Sequence, residues 1–461
     1  MLFRQILHED LGCASYLIGD RSAGQAAVVD PQWEISVYLR LGRLHGVEIT
    51  HILETHNHAD HVSGHGRLAR ATGAVIHAHR LAEAEHPHEP FDDGWALELG
   101  EVRIEAVHTP GHRPEHTSFL LADRARGGDP WAVLTGDSLF VGDVARPDLA
   151  IEPREGAAAI FRSLHDRLLT LPDAVEVWPG HVGGSMCGGG GLDLKTSSTI
   201  GFERRHNEAL RHGSEDEFVE AAMGSLGTQP PNVEHVVGLN RGPLIEQRGN
   251  LAAFSPRGLE EALAEGAVVV DARTNEQFDE AHIPGAISAS AGETGFATKV
   301  AQVVDVGRPL VVVAASDGYE LEAAELLAAV GLRVRGFLEG GMTAWRAEHR
   351  PVHRIELIDV DELAERLEGP EAPVVLDVRD ADEFDAAHIP GSLHIPYGEL
   401  PERLGELPVD GALAVVCSGG KRSGLAASVL QREGREGVVH VAHGGVGTWQ
   451  RQGRPTANGA T

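Results

Sequence analysis

Apolar residues along the chain form short runs that alternate with helix-like stretches. Residues 47–53 (VEITHIL) are β-branched and apolar enough for a buried strand, and the segment from Gly64 to Arg70 has a helical pattern. Further along, apolar runs such as VVVDAR (268–273) and PLVVVAA (309–315) are followed by Ala/Leu-rich stretches. Because strands that alternate with helices are typical of parallel sheets, this pattern predicts an α/β protein.

The second half of the chain repeats itself. The segment DARTNEQFDEAHIPGAIS (271–288) returns as DVRDADEFDAAHIPGSLH (377–394), and GGMTAWRAEHRP (340–351) returns as GGVGTWQRQGRP (444–455). A repeat of this length predicts two homologous α/β domains in tandem rather than a solenoid of small units. Pro and Gly residues near 245–255 indicate a domain boundary, and we predict domains at 1–245, 255–351 and 354–458.

Composition supports this picture and excludes some partners. The 461 residues are enough for about three domains, and 42% of them are apolar. The 69 acidic and 39 basic residues give a net charge of −30, so neither nucleic acid nor an anionic membrane surface is an expected partner. Three cysteines exclude a disulfide framework, and the first residues lack the apolar core of a signal peptide. These features predict a cytoplasmic location.

Metal-capable side chains are concentrated in the first domain. The stretch LETHNHADHVSG carries His56, His58, Asp60 and His61 between the predicted strand and helix. Other candidates each follow an apolar strand: Asp30, His112, Asp137 and His181. Because side chains at the same end of several strands converge on one pocket, the set predicts a metal centre.

The ordered motifs THxHxDH, TPGH, TGD and PGH resemble those of the metallo-β-lactamase superfamily over roughly residues 1–235. The resemblance implies an αββα sandwich with the metal site at one edge. It also implies one metal position facing His56, His58 and His112 and a second facing Asp60, His61 and His181. Asp137 would bridge the two positions, and Asp30 would orient the loop.

Two chemistries within the superfamily fit these motifs. Hydrolases of the glyoxalase II type use both positions, usually with zinc, to cleave thioesters. Persulfide dioxygenases hold a single Fe(II) through two histidines and one carboxylate, which leaves positions for substrate and O₂. Here that triad would be His56, His112 and Asp137, with His58, Asp60, His61 and His181 supporting the ligands instead of binding the metal. The motifs alone are compatible with both.

Two neighbouring features favour sulfur chemistry. The segment LTGDSLFVGDVARPDL (134–149) is similar to one found in persulfide dioxygenases, and Cys187 follows in the glycine-rich stretch GGSMCGGG. Flanking glycines disfavour burial of Cys187 in a core, so we expect this thiol to contact substrate. Arg113, Pro114 and Glu115 depart from the common TPGHT form, which puts the substrate-side contacts in doubt.

The last domain carries a candidate nucleophile in the stretch CSGGKRSG (417–424). Cys417 lies between a strand and a helix, and residues Ser418, Gly419 and Gly420 would surround its sulfur with backbone N–H groups. Lys421 and Arg422 would favour a thiolate and an anionic persulfide. Together with DxR, HIPGS and the closing GG…W, the loop resembles that of rhodanese domains over about residues 354–458.

The middle copy lacks this chemistry. Alignment of the two helices without a gap puts Ala314 opposite Cys417, brings in Asp317, and puts Tyr319 opposite Arg422. The resemblance therefore implies an inactive rhodanese-like domain over 255–351.

The whole chain resembles multidomain persulfide dioxygenase–sulfurtransferases. That resemblance implies one Fe(II) per chain and oxidation of small-thiol persulfides by O₂ to sulfite. It also implies transfer of sulfane sulfur by Cys417 to sulfite, giving thiosulfate in sulfide detoxification, and a possible homo-oligomer. The main alternative is a zinc-dependent thioester hydrolase that carries rhodanese domains. A sulfur carrier or persulfide-responsive scaffold would require both sites to be vestigial. The thiol that carries the persulfide is left open.

Overall fold

The computed structural model describes residues 1–183, 185–188, 192–224, 226–315 and 318–459. It divides into two compact units, one formed by Met1–Arg248 with Ala329–Gly331 and the other by Gly249–Ala328 with Leu332–Thr461. Among the described residues, no helix has both the length and the apolar character to cross a membrane.

The first unit contains two six-stranded sheets and six α-helices. The strands are β1 (Leu2–His8), β2 (Cys13–Asp20), β3 (Gln25–Val29), β4 (Glu48–Leu53), β5 (Val75–His79), β6 (Glu89–Phe91), β7 (Ala96–Leu99), β8 (Val102–His108), β9 (Thr117–Asp123), β10 (Ala132–Gly136), β11 (Glu176–Pro179) and β12 (Ser198–Thr199). The helices are α1 (Ser36–His45), α2 (His65–Thr72), α3 (Pro153–Ser163), α4 (Ile200–His206), α5 (Glu215–Gly224) and α6 (Val233–Arg241). The strand predicted over 47–53 and the helix predicted from Gly64 are confirmed.

The two sheets pack face to face and helices cover their outer faces. One sheet has the order β1-β2-β3-β4-β5-β6 and the other β12-β11-β10-β9-β8-β7. The apolar layer between them includes Tyr16 and Leu53 from the first sheet and Phe119 and Leu134 from the second. Helix residues such as Tyr38 complete a separate apolar cluster outside the first sheet. The expected αββα sandwich is confirmed.

Strand direction explains why the candidate ligands meet. β3 and β4 are parallel, so Asp30 and His56 follow strands that end at the same edge. In the second sheet β8 and β10 are both antiparallel to β9, and β10 is parallel to β11. The segments after these three strands, which carry His112, Asp137 and His181, therefore also lie at a common edge.

The second unit contains two five-stranded parallel sheets of the same topology. The first consists of β13 (Ala252–Phe254), β14 (Val268–Asp271), β15 (Ile287–Ser288), β16 (Leu310–Val313) and β17 (Val334–Leu338), with helices α7 (Pro256–Ala264), α8 (Asn275–Glu280), α9 (Phe296–Val303), α10 (Tyr319–Ala329) and α11 (Gly341–Ala347). The second consists of β18 (Glu356–Asp359), β19 (Val374–Asp377), β20 (Leu393–His394), β21 (Leu413–Val416) and β22 (Val438–His443), with helices α12 (Val360–Leu367), α13 (Ala381–Ala386), α14 (Leu400–Arg403), α15 (Lys421–Arg432) and α16 (Val446–Arg451). Their strand orders, β13-β17-β16-β14-β15 and β18-β22-β21-β19-β20, are equivalent, which confirms the tandem α/β domains.

The two copies share the same internal contacts. The DxR motif forms an ion pair in each, between Asp271 and Arg273 and between Asp377 and Arg379, with 2.6 Å between Oδ2 and Nη2 in both. In the last domain Arg379 Nη2 also donates to the Ala387 carbonyl at 2.7 Å. Arg273 makes the same contact with the Ala281 carbonyl at 2.8 Å, so the DxR residues connect the second strand of each domain to the turn that follows the next helix.

We expect Asp377→Ala to destabilise the second unit. Asp377 is fully buried and Arg379 is 5% exposed, so the variant leaves a buried guanidinium without its carboxylate. Removal of one partner of such a pair costs about 3–5 kcal/mol. Urea unfolding followed by circular dichroism measures the change. The matched control is Asp361→Ala, which breaks the more exposed pair with Arg454 and should change the free energy of unfolding by about 1 kcal/mol or less.

Candidate functional site

Three side chains at the edge of the sandwich direct potential ligand atoms to one place. His56, His112 and Asp137 lie close enough that their candidate ligand atoms are all within 4.8 Å of one another, and all three side chains are buried. Asp137 Oδ2 is 3.9 Å from His56 Nε2 and 3.5 Å from His112 Nε2. None of these three atoms has a hydrogen-bond partner in the part of the chain that the structure describes. Unpaired buried polar atoms are costly, so their convergence is typical of a metal site.

Hydrogen bonds fix the tautomer of each histidine in this trio. Thr55 Oγ1 donates to Asp30 Oδ2 at 2.9 Å, so the 2.9 Å contact with His56 Nδ1 is satisfied when Nδ1–H donates to the hydroxyl. His112 Nδ1 likewise donates to the Arg146 carbonyl at 3.0 Å. Both histidines then present a lone pair on Nε2. Burial lowers the pKa of both imidazoles, which keeps them neutral as metal binding requires.

Asp137 is oriented by a buried histidine that lies between two carboxylates. His181 Nδ1 is 2.8 Å from Asp137 Oδ1, and His181 Nε2 is 2.9 Å from Asp60 Oδ2. Burial alone would lower the pKa of His181, but Asp137 and Asp60 raise it to about 10. Burial would raise the pKa of Asp137, but the charge of His181 lowers it to about 2. His181 is therefore an imidazolium in this arrangement and has no lone pair for a metal.

The other histidines of the THxHxDH motif also face carboxylates. His58 Nε2 lies 3.3 Å from Asp30 Oδ1 and 3.5 Å from Glu54 Oε2. His61 Nδ1 lies 3.1 Å from Asp60 Oδ1. Burial would lower the pKa of His58, but Asp30 and Glu54 raise it well above its usual value. The structure therefore brings every predicted metal residue into one region, where His61 and His181 are hydrogen-bonded to Asp60. His58 has ion-pair contacts, but neither of its ring nitrogens has a hydrogen-bond partner in the described part of the chain.

Cys187 is close to this region but fully buried. Its Sγ and atoms of Asp60 and His181 lie within 4.8 Å of one another. The side chain belongs to an apolar cluster with Phe140, and burial, together with Asp60 and Asp137, raises the pKa of the thiol well above its usual value. The expectation that flanking glycines keep Cys187 out of a core is thus wrong. Residues 184 and 189–191 of that stretch lie outside the described residues.

The residues after His112 have structural roles that the motif did not indicate. Arg113 Nε donates to Glu115 Oε1 at 2.8 Å, and the same oxygen accepts from the backbone N–H of Asn57 at 3.0 Å. His116 was missed by sequence reasoning, although it is buried and its Nε2 accepts from the Asp137 backbone N–H at 2.8 Å. Burial, with His112 nearby, lowers the pKa of His116 to about 3, so it remains neutral and accepts this hydrogen bond.

Arg146, in the segment singled out above for its sulfur-related pattern, supports the centre from the other side. Its carbonyl accepts from His112, while its guanidinium pairs with Asp148 Oδ1 at 2.7 Å and donates to the carbonyls of Met186, Gly227 and Thr228. One residue thus connects the His112 ligand position to the stretch next to Cys187.

The second candidate site is the loop between β21 and α15. Cys417 follows the buried strand and is 1% exposed. The backbone N–H of Gly420 donates to Cys417 Sγ at 3.1 Å, and Ser423 Oγ lies 3.5 Å from the sulfur. Gly420 has φ = +101°, and a Cβ there would lie 1.9 Å from the Ala442 carbonyl oxygen, so only glycine fits this turn. The loop thus brings the N–H of Gly420 to the sulfur, and the same role for Ser418 and Gly419 stays a prediction.

The two basic residues of the loop contact acidic side chains. The Arg422 guanidinium pairs with Asp380 at 3.0 Å and with Glu383 at 2.5 Å, and it also contacts Ser418 Oγ. Lys421 is 61% exposed at its side chain, and its Nζ is 3.9 Å from Glu293. Burial would lower the pKa of Arg422, but Glu383 and also Cys417 raise it, so the guanidinium interacts with the thiol as well as with its ion-pair partners.

The middle copy has no nucleophile at the equivalent position. Ala314 directly follows β16, as Cys417 follows β21, and α10 begins at Tyr319. Asp317, predicted to bring a negative charge there, lies outside the described residues. Ala314 has no group that can accept sulfur.

Comparison with known proteins supports three domains of two kinds. A model of the metallo-beta-lactamase superfamily matches residues 8–181, and a model of the rhodanese-like domain matches residues 255–348 and 359–452. The human protein named persulfide dioxygenase ETHE1, mitochondrial, is 30% identical over 235 residues, which cover 50% of this chain and 84% of that protein. The protein of Arabidopsis thaliana named hydroxyacylglutathione hydrolase cytoplasmic is 34% identical over 170 residues, 36% of this chain and 62% of that protein.

A solved structure extends the likeness beyond the first unit. The crystal structure described as a metallo-beta-lactamase from Staphylococcus aureus superimposes with a TM-score of 0.65 at 27% identity. The superposition covers 73% of this chain and 98% of that chain.

We expect His112→Ala to abolish tight metal binding and His61→Ala to preserve it. His112 presents an unpaired Nε2 to the trio, whereas His61 is paired with Asp60. Metal content by mass spectrometry should fall from about one ion per chain to near zero in His112→Ala and stay near one in His61→Ala. Circular dichroism controls for folding. A wild-type content of two ions, reduced to one in His61→Ala, would contradict this assignment.

Proposed function

The chain belongs to the metallo-beta-lactamase superfamily through its first unit, and from this membership and its two rhodanese-like domains we propose a non-haem iron persulfide dioxygenase fused to a sulfurtransferase. The dioxygenase would oxidise a small-thiol persulfide in the first unit. The sulfurtransferase would use Cys417 in the last domain. The 30% identity to a protein named persulfide dioxygenase over 84% of its length supports this choice within the superfamily.

The observation that carries the proposal is the set of three unpaired buried atoms, His56 Nε2, His112 Nε2 and Asp137 Oδ2. Two histidines and one carboxylate on one side of a centre are the ligand set of non-haem Fe(II) oxygenases, whereas the resemblance implies that hydrolases of the glyoxalase II type use both metal positions. Of the further candidates, His61 and His181 hydrogen-bond Asp60, and His181 also hydrogen-bonds Asp137. His58 lies in ion-pair contact with Asp30 and Glu54, although neither of its ring nitrogens has a hydrogen-bond partner among the described residues. This pairing favours one metal ion per chain.

The proposed first reaction converts a persulfide, O₂ and water to a thiol and hydrogen sulfite (RSS⁻ + O₂ + H₂O → RSH + HSO₃⁻). Fe(II), when bound, supplies open coordination positions and redox chemistry for O₂ and the terminal sulfur. The chain's own residues hold the ligands. Thr55 orients His56, the Arg146 carbonyl orients His112, and the His181 imidazolium holds one oxygen of Asp137 so that the other faces the centre.

The proposed second reaction occurs at Cys417. The thiolate attacks the outer sulfur of another persulfide and displaces the thiol as thiolate, which leaves a persulfide on Cys417. Sulfite then attacks the outer sulfur of that persulfide, so that thiosulfate leaves and the Cys417 thiolate is restored. The Gly420 N–H, 3.1 Å from Sγ, and the N-terminus of α15 stabilise the negative charge. The product of the first site is thus a substrate of the second.

This pairing of reactions fits a role in sulfide detoxification in the cytoplasm, with glutathione, coenzyme A or another small thiol as the persulfide carrier. The net charge of −30 fits small-molecule substrates rather than nucleic acid or an anionic membrane surface. Homo-oligomer formation remains an expectation from the resemblance.

A zinc-dependent thioester hydrolase is the second candidate. The observation in its favour is the likeness to a hydroxyacylglutathione hydrolase, together with the presence of all the residues of a two-metal motif in the same region. This candidate requires the ion pairs of His58, His61 and His181 to open when metal binds. The two functions differ in metal identity, in O₂ consumption and in product.

We expect the protein, purified without O₂ and loaded with Fe(II), to consume O₂ when glutathione persulfide or coenzyme A persulfide is added. An O₂ electrode measures the uptake, and chromatography measures sulfite. Asp137→Asn should reduce kcat at least about a hundredfold because the charged ligand oxygen is lost. Zinc-loaded protein that hydrolyses S-lactoylglutathione without O₂ uptake would favour the hydrolase.

We expect Cys417→Ser to change the product from thiosulfate to sulfite while persulfide-dependent O₂ uptake continues. A serine hydroxyl cannot carry sulfane sulfur, and Cys417 belongs to the second unit, whereas the predicted metal ligands belong to the first. The matched control is Ala314→Ser, which places the same side chain at the equivalent position of the middle copy and should leave thiosulfate formation unchanged. Wild-type thiosulfate yield from Cys417→Ser would refute the assignment of the nucleophile.

A further inference from the structure

The two rhodanese-like copies meet directly at the helix that begins in the Cys417 loop. Asn275 of the middle copy approaches α15 so closely that a Cβ on Gly424 would lie 2.7 Å from its side chain. Further along α15, Ser428 Oγ accepts from the backbone N–H of Ser288 at 2.9 Å, and Gln431 Oε1 is 2.7 Å from His282 Nε2. The middle copy therefore contacts α15 along its length, although its own loop lacks a nucleophile.

A buried histidine connects the middle copy to the loop itself. His440, on β22, has Nδ1 2.7 Å from Asp279 Oδ2 of the middle copy and Nε2 2.8 Å from the Gly420 carbonyl oxygen. His440 is fully buried and Asp279 is 4% exposed. A carbonyl oxygen only accepts, so Nε2 of His440 carries the hydrogen and donates to Gly420. The contact of Nδ1 with Asp279 then holds the ring in the orientation that makes this hydrogen bond.

The backbone N–H and the backbone carbonyl of Gly420 both form hydrogen bonds. Its N–H donates to Cys417 Sγ at 3.1 Å, and its carbonyl accepts from His440 and, at 3.4 Å, from Asn275 Nδ2. The Gly420 carbonyl belongs to the same peptide group as the N–H of Lys421, the first residue of α15. A hydrogen-bond donor on that carbonyl polarises the peptide and increases the positive potential at the helix N-terminus, close to the sulfur.

The Asp279–His440 pair joins the two copies and has no equivalent within either copy. The position equivalent to His440 in the middle copy is Phe337, which pairs with Val312 and Ala253 as His440 pairs with Val415 and Leu357. The position equivalent to Asp279 in the last domain is Asp385, which is exposed. A generic fold contact would recur in both copies, as the Asp–Arg pair of the DxR motif does.

We propose that the middle copy is a positioning partner of the sulfurtransferase site, in which Asp279 holds His440 and His440 holds the Gly420 carbonyl so that the loop N–H groups face the Cys417 sulfur. Asp279 and His440 are positioning residues, since neither touches the reacting sulfur. The domain without a nucleophile thereby sets the reactivity of the nucleophile in its neighbour. This inference rests on the proposed role of Cys417.

Other charged groups lie around the loop and contact acidic side chains. Arg422 pairs with Asp380 and Glu383, and burial would lower its pKa but Glu383 and also Cys417 raise it, while Lys421 is exposed near Glu293. Glu276, on the same helix as Asp279, has a pKa lowered by its own backbone hydrogen bond and by Thr274, with smaller contributions from His443 and His440. His440 differs from these groups because it is buried and hydrogen-bonds the Gly420 carbonyl.

The test measures the pH dependence of Cys417 alkylation by iodoacetamide in the full-length protein, with the modified peptide quantified by mass spectrometry so that Cys13 and Cys187 do not interfere. We expect His440→Leu and Asp279→Asn to shift the midpoint upward by about half to one pH unit, because the hydrogen bond that orients Gly420 and polarises its carbonyl is lost or weakened. Below the midpoint this corresponds to alkylation about three- to tenfold slower.

Matched variants separate positioning from packing. His440→Gln keeps an N–H donor for the Gly420 carbonyl, so it should retain more of the wild-type kcat for sulfur transfer from thiosulfate to cyanide than His440→Leu does. Asp385→Asn makes the same change as Asp279→Asn at the exposed equivalent position and should leave both the midpoint and kcat unchanged. Circular dichroism verifies folding, and Asp279→Asn is isosteric.

A wild-type alkylation midpoint in folded His440→Leu and Asp279→Asn would overturn the inference. Equal losses of kcat in His440→Gln and His440→Leu would do so as well, since they would indicate packing rather than a donated hydrogen bond. If the wild-type protein transfers no sulfur, the proposed function of Cys417 fails, but the alkylation profile still reports whether the middle copy controls the thiol.

Discussion

The buried carboxylate of Asp137 is the group on which the metal centre depends. A buried charge is unfavourable unless an opposite charge or a hydrogen-bond donor faces it, and the two oxygens of Asp137 have different surroundings. Oδ1 is 2.8 Å from the His181 imidazole, which Asp60 holds from the other side, while Oδ2 has no hydrogen-bond partner among the described residues and faces two unpaired histidine nitrogens. His181 thus compensates part of the negative charge of Asp137, and a bound metal ion would compensate the rest.

The second unit also stabilises a buried reactive group, but it does so with backbone N–H groups instead of a metal ion. The sulfur of Cys417 follows a buried parallel strand, and the Gly420 N–H and the start of α15 face it. In both sites the reactive group lies at the carboxyl end of a strand, where loops from neighbouring strands meet. In both, a buried histidine, His181 or His440, is held by a carboxyl group and fixes the group that contacts the reactive centre.

The predicted metal ligands and the domain order could be read from the sequence because the ligands follow apolar strands and stand in recognisable motifs. His56, His112 and Asp137 each occupy a loop after an apolar run, and the tandem α/β domains follow from a repeat that preserves strand, turn and helix. Sequence could not show which acid each histidine faces, since the pairing of His58 with Asp30 and of His181 with Asp60 depends on side-chain direction across loops distant in sequence. The glycines around Cys187 suggested exposure, whereas packing against Phe140 buries it. The Asp279–His440 contact joins two domains and has no local signal.

Anomalous diffraction from crystals of the protein grown without O₂ tests the central claim most directly, because data collected on both sides of the iron and zinc absorption edges locate and identify each bound ion. The account predicts one iron peak per chain, bounded by His56 Nε2, His112 Nε2 and Asp137 Oδ2, with His181 still between Asp60 and Asp137. Two zinc peaks, one of them ligated by His61 and His181, would contradict it.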